Sequence, residues 1–389
     1  MKLNYDPALD PCLSALSGEY LFEETRRKIK ESGKKIHDLS VGDVTLPIAI
    51  TAAEAISRAA AELTHAATFR GYPPVCGYAF LREAIAREYL FLGASIGSDD
   101  IIITHGAKEA LYLISSILSD LPAVLPRASY PVYRELSLLK NRKIIYCDRP
   151  QEVAERSLIF ICSPDNPTGM VKTVSELKAI VTFARASGSL IIFDAAYSAF
   201  VGDGRIKSIF EIDGAADCAI EIGSFSKSSG FTGVRCGWLV IPVEKIRSSA
   251  VRLLSVCSNG VSYLSQRAAL ASLGDEGKKA QKAMIAHYLE NARIIRESLL
   301  LCGARFSGGE DSPYIFLTLP SGVSGRAFFD YMLKNYSLAV TPGEGFGEGG
   351  KGKARLSCFC SREDAVYAAQ TIPKALTDLS NIDKSAILV

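Results

Sequence analysis

Between residues 101 and 241 the chain repeats one pattern: a short apolar run, a stretch with helical spacing, then another short apolar run. Ile101–Thr104, Ala123–Leu125, 143–147, Leu158–Cys162, 190–193, 218–222 and 236–241 are short, apolar and mostly rich in β-branched residues, so they read as buried strands. The intervening stretches, 175–187 for example, carry apolar residues at helical intervals. Strand, helix, strand in that order predicts an α/β fold with a mainly parallel seven-stranded sheet, because parallel neighbours need crossovers that cover both faces.

After about residue 245 the pattern changes. Residues 262–273 and 277–302 read as long helices, 304–319 and 338–357 as strands, and a helix opens at Arg362. A chain of 389 residues exceeds one ordinary core. The change predicts a large domain over 46–270 and a smaller α+β domain over 271–389. Residues 1–45 then form an arm that packs with the small domain or crosses to a partner subunit.

Composition narrows the function by exclusion. A net charge of +2 gives no basic footprint for nucleic acid or a membrane surface. No apolar run approaches the ~20 residues that span a bilayer, and the first residues lack a signal peptide's apolar core. Ten cysteines are scattered, several within apolar runs (Cys147, Cys162, Cys218, Cys236), which predicts reduced thiols and a cytoplasmic protein. Cys358 and Cys360 lack the second pair a zinc site needs, and the four histidines lie far apart, so no metal is expected.

Residues 222–237 place Lys227 among Ser224, Ser226, Ser228 and glycines, with Arg235 eight positions on. A lysine whose pKa is depressed by burial and nearby positive charge is a Schiff-base amine. Hydroxyls with a forked cation suit a phosphate. An aldehyde that also carries a phosphate is pyridoxal 5'-phosphate, and four further segments fit it. Gly106, Ala107 and Lys108 close a strand and open a helix, whose free backbone donors bind phosphate. Asn166 sits in a loop stiffened by Pro164 and Pro167 at a strand's carboxyl end, where open parallel sheets bind ligands. Asp194 ends an apolar strand, where a lone carboxylate is costly unless it pairs, here with a protonated pyridine nitrogen; Tyr197 lies three residues on. Arg355, between apolar residues of a late strand, suits bidentate capture of a substrate carboxylate. The glycine run 345–350 meets a dinucleotide pattern but precedes a strand, not the helix that pattern requires.

The order Asn166, Asp194, Tyr197, Lys227, Arg235, Arg355 resembles the fold-type I pyridoxal-phosphate aminotransferases of class I/II over nearly the whole chain. Within them it is most similar to the LL-diaminopimelate aminotransferase family, through 20–22, 41–47, 67–72, 129–133, Asn259-Gly260 and Thr341-Pro342-Gly343. The resemblance implies that Lys227 holds the cofactor and moves the Cα proton. It implies Asp194 at the pyridine nitrogen, Asn166 and Tyr197 at the phenolic oxygen, and Tyr130 stacked on the ring. Gly106, Ala107, Lys108, Ser224, Ser226 and Arg235 would cradle the phosphate, with Tyr72 reaching in from a second subunit. Arg355, Asn166 and Gly42 would grip the substrate's carboxylate beside Lys108 and Tyr130, and Tyr20 and Asn259 would cross from the partner of a homodimer with shared active sites. Small amino acids and 2-oxo acids are the implied substrates. One departure stands out: in Gly71-Tyr72-Pro73-Pro74-Val75-Cys76-Gly77 the family carries an acidic residue where this chain has Val75. That residue is implied to hold diaminopimelate's distal ammonium, so an aminotransferase for aromatic or broad-range amino acids stays open.

Overall fold

The computed structural model describes residues 21–118 and 120–381. In chain order its first elements are α1 (Leu21–Glu31), β1 (His37–Asp38), α2 (Ile50–Glu62), α3 (Ala79–Phe91), β2 (Ile101–Thr104), α4 (Ala107–Ile117), β3 (Ala123–Leu125), α5 (Pro131–Leu139) and β4 (Ile144–Tyr146). There follow β5 (Leu158–Cys162), α6 (Val174–Ser187), β6 (Leu190–Asp194), β7 (Ala219–Ser224), α7 (Phe225–Ser228), β8 (Gly237–Val240), α8 (Glu244–Cys257), α9 (Tyr263–Leu273) and α10 (Asp275–Leu301). The last are β9 (Phe306–Gly308), β10 (Tyr314–Thr318), α11 (Gly325–Tyr336), β11 (Leu338–Ala339), β12 (Thr341–Pro342), β13 (Lys353–Ser357) and α12 (Arg362–Asn381).

The seven apolar runs form one sheet in the order β2-β8-β7-β6-β5-β3-β4. Its pairs are parallel except those made by β8, which runs against both β7 and β2. The reason is local. Only residues 225–236 separate β7 from β8, and they form one helical turn and a loop, too little for a crossover. Elsewhere helices make the crossovers. In α6, for instance, Thr173 and Glu176 cap one another at the start, and Gly188 ends it at φ 69°.

Side-chain parity sorts the core into two layers. Ile192, Ile220, Ile222, Phe160 and Cys162 point to one face, covered by α4, α5, α8 and the first half of α10. Ile191, Phe193, Ile159, Ile161 and Ala219 point to the other, under α2, α3, α6 and α9. A third cluster lies in the C-terminal part, around the antiparallel sheet β12-β13-β10-β9 with α11 and α12. Helix α10 joins the layers: Met284 and Tyr288 pack on the large sheet, Ala292, Ile295 and Leu299 in the third cluster. The arm binds that same cluster, since His37–Asp38 pairs in parallel with Leu338–Ala339 and Leu39 is buried there. Among the described residues no helix is long and apolar enough to cross a membrane.

Candidate active site

Strand ends on the β6 carboxyl side build one cavity of about 510 Å³. Each neighbouring strand delivers a side chain or backbone group to it. The end of β2 turns through Gly106 into α4, so Ala107 and Lys108 reach the cavity at a helix N-terminus. Tyr130 precedes Pro131, the first residue of α5. Asn166 follows β5, Asp194 closes β6, and Ser224 closes β7, with Ser226 and Lys227 one turn later in α7. Arg355 comes from β13, the interior of the smaller sheet, and Gly42 from the arm.

Lys227 lies at the centre. Its Nζ donates to the Gly42 carbonyl and sits 5.5 Å from the Phe359 ring centroid. Burial first, then the fields of Arg355 and Arg235 acting against that of Asp43, push its pKa down to about 8. A fraction of the amine is therefore neutral near physiological pH, as a nucleophile requires. Asp194 faces the same space. Its Oδ2 accepts from the Tyr133 hydroxyl at 2.6 Å and its Oδ1 from the Ala196 amide at 3.0 Å. Burial raises its pKa against the pull of those two donors. Tyr133 and Ala196 thus hold the carboxylate, and they aim it into the cavity.

Arg235 has φ 64°, and its guanidinium donates to the carbonyls of His105 (2.8 Å) and Thr232 (3.1 Å). A Cβ on Gly106, itself at φ 106°, would stand 2.7 Å from Arg235 Nη2. That glycine lets the arginine close over the α4 N-terminus. Ser224 accepts from the Ser226 amide at 3.1 Å, which sets the turn carrying Lys227. At the other end Arg355, 1% exposed, donates to Asn166 Oδ1 (2.9 Å), the Ser40 carbonyl (2.8 Å) and Thr341 Oγ1 (3.2 Å). It lies over the rings of Tyr314 and Phe346. Tyr197 and Tyr314 share a hydroxyl contact of 2.9 Å, and burial, ahead of Tyr314, raises the Tyr197 pKa well above its usual value.

Three of the residues singled out in the sequence do not line this chain's cavity: Gly106, which turns the chain into α4, Tyr72 and Asn259. Tyr72 is 84% exposed and Asn259 is also exposed. Their loops adjoin one another, since a Cβ on Gly260 would meet the Pro74 carbonyl at 2.9 Å. Tyr20 lies outside the described residues. Sequence reasoning missed Tyr133 as the partner of Asp194, Tyr314 as the partner of Tyr197, and Asp43 as a charge acting on Lys227. Tyr133 lies within the 129–133 segment that carries the family resemblance. For Tyr314 only a strand-initial aromatic was visible.

A family profile described as aminotransferase class I and II matches residues 34–372. The chain belongs to that family. It is a transaminase acting on small amino acids and oxo acids. Relatives agree: it is 36% identical to the LL-diaminopimelate aminotransferase of Agathobacter rectalis, over 93% of this chain and 98% of the relative. Among solved structures it resembles the L,L-diaminopimelate aminotransferase of Chlamydomonas reinhardtii, with TM-score 0.89, 34% identity, and 96% and 100% of the two chains covered. Substrate-bound BacF of Bacillus subtilis is also similar, with TM-score 0.86, 26% identity and coverage of 95% and 98%. The aminotransferase fold is thus the mixed seven-stranded sheet with its smaller α+β layer.

Proposed function

We propose that this aminotransferase uses pyridoxal 5'-phosphate to exchange an amino group between LL-diaminopimelate and 2-oxoglutarate, in the biosynthetic direction aminating tetrahydrodipicolinate with glutamate. The observation that carries the cofactor is the pairing, in one cavity, of the Lys227 amine at about pKa 8 with the buried Asp194 carboxyl. The rest of the cavity fits the group. Arg235, Ser224, Ser226 and the α4 N-terminus make an anion cradle that a Cβ at Gly106 would obstruct. Tyr130, Tyr197 and Asn166 line the same cavity, where Tyr130 would stack on the ring and the other two would contact the phenolic oxygen.

When bound, the cofactor supplies an aldehyde for the amine and a cationic ring that holds the electron pair released at the substrate's Cα. The protein's share is proton placement and orientation. Asp194 would keep a proton on the cofactor's pyridine nitrogen, while Tyr133 and Ala196 fix the carboxylate's direction. Lys227 Nζ, desolvated and neutral in part, accepts the Cα proton and returns it. Arg355 presents its fork to the α-carboxylate, and Asn166, whose Oδ1 is taken by Arg355, keeps its amide donors for the ligands. The Phe359 ring lies beside the amine, while Tyr314 and Phe346 pack on the Arg355 guanidinium.

Diaminopimelate rests on the relatives named above and on the family segments in the sequence. Val75, half-buried where an acidic residue is expected, favours a second reading, an aromatic or broad-range amino donor. A homodimer sharing its sites through Tyr20, Tyr72 and Asn259, and a cytoplasmic location, complete the proposal and rest on the resemblance. Single-turnover conversion of the loaded enzyme with diaminopimelate, glutamate, tyrosine and alanine tests the choice. Fastest conversion with diaminopimelate and glutamate is expected. Fastest conversion with tyrosine overturns the diaminopimelate reading, and a Lys227→Ala protein that still transfers amino groups overturns the whole.

A further inference from the structure

Helix α1 brings to the cavity mouth two charges that the chemistry above leaves unused. One side of α1 is fixed to α11: Arg326 donates to Glu24, and Lys28 to Asp330 at 2.9 Å. Another side carries Glu23 and Arg26, which line the same cavity as Lys227 and Arg355. They stand three residues apart, a spacing at which opposite charges on a helix can meet. Among the described residues, however, neither side chain has a hydrogen-bond or ion-pair partner. Both are exposed, whereas Arg355 at the far end is buried. The cavity therefore has a deep cation for an α-carboxylate and, at its mouth, one carboxylate and one guanidinium held apart.

That pair is the complement of a second amino-acid head group. We infer that Glu23 and Arg26 form the subsite for the substrate's far end, Glu23 receiving a distal ammonium and Arg26 a distal carboxylate. The inference rests on the diaminopimelate reading and supplies the charge that reading lacks. Val75 cannot bind an ammonium; it packs against the apolar cluster on the cofactor face. Of the cavity's other carboxylates, Asp194 is held by Tyr133 and Ala196, and Asp43 acts on Lys227. The same subsite serves the acceptor, because 2-oxoglutarate ends in a carboxylate for Arg26 and has no distal ammonium. Helix α1 is thus a selector carried by the same chain as the Lys227 it serves.

The test uses cofactor-loaded enzyme and ratios of kcat/KM, which a general folding defect does not move. In Glu23→Gln the ratio for diaminopimelate over alanine is expected to fall about fivefold, the upper end for a solvent-screened charge pair. Glu23→Asp should recover most of that ratio. In Arg26→Gln the ratio for 2-oxoglutarate over pyruvate should fall by a similar factor, about fivefold. A ratio within roughly twofold of the parent in either neutralised variant overturns the subsite. A parent enzyme that does not convert diaminopimelate overturns the substrate reading itself, and the subsite with it.

Discussion

The contact from Tyr133 to Asp194 is the most direct handle on how the chain holds a buried charge. Both side chains are buried and their oxygens are 2.6 Å apart. Tyr133→Phe removes the hydroxyl and keeps the ring, which also stacks on Phe160. A hydrogen bond to a charged acceptor contributes about 1.5–3 kcal/mol, and here only the Ala196 amide would remain on the carboxylate. Asp194 already has a folded pKa above its ordinary 3.8 because of burial, and losing a donor raises it further. Its ionised form therefore burdens the folded state more in the variant. That burden is full where Asp194 is ionised in both states, above the folded pKa. It disappears as pH falls towards the ordinary value, where both states bind the proton. Urea unfolding of the cofactor-free protein at a series of pH values should show Tyr133→Phe destabilised by about 1.5–3 kcal/mol at pH 8 and progressively less in acid. Tyr288→Phe is the control: its hydroxyl accepts from the Thr45 and Leu46 amides at 2.8 Å, so its cost should not vary with pH in this way. With cofactor bound, a cation faces Asp194 and the pH dependence of the Tyr133 variant should shrink. A Tyr133→Phe cost that stays constant from pH 8 into acid would refute the argument, because it would mark lost packing, not a carboxylate left short of donors.

Reloading of the cofactor-free protein with pyridoxal 5'-phosphate should accelerate with rising pH around a midpoint of about 8, the value to which burial pushes Lys227. In Asp43→Asn that midpoint should move lower, since Asp43 favours the charged amine; stopped-flow absorbance reads both, and an upward shift refutes the assignment. Gly106→Ala must adopt φ 106° and crowd Arg235, a strain of about 1–3 kcal/mol, so the cofactor's dissociation constant should rise by about one to two decades on equilibrium titration. Arg355→Lys loses the fork that reaches Asn166, Ser40 and Thr341 together, and steady-state kcat/KM should fall by about two decades for every amino acid tested.

Much of this fold was readable because its rules are local. The seven apolar runs became seven strands of one sheet, with ends displaced by a residue or two, since short β-branched runs flanked by helical pattern have few alternatives. The reversal of β8 could have been read from the twelve residues separating β7 and β8, which leave no room for a crossover. The site residues at strand ends were legible for the same reason: Asn166, Asp194 and Lys227 each follow an apolar run, and the carboxyl edge of a parallel sheet brings such positions together. Residues that act through another side chain were not. Tyr133 precedes Asp194 by 61 residues, and Tyr314 follows Tyr197 by 117. No spacing rule spans such separations.

Asp194 and Glu221 show where sequence pattern stops and register begins. Each is a carboxylate in an apolar strand, each is buried, and burial raises the pKa of both, that of Glu221 to about 7. Pattern alone gives no reason to prefer one. The pairing of β6 with β7 sets Asp194 opposite Ile222 and Phe193 opposite Glu221. Cross-strand partners share a face and successive residues alternate, so the two carboxylates must point to opposite sides of the sheet. Asp194 therefore joins Lys227 on the side of Cys162 and Ile222. Glu221 turns instead towards α3, where Tyr89 donates to one oxygen at 2.7 Å and Ser208 and the Ile209 amide donate to the other. Three donors complete Glu221 within the protein. Asp194 keeps two and faces the cavity. A shift of one residue in that register would set both carboxylates on one side of the sheet, and the division between a protein-facing and a ligand-facing carboxylate would be lost.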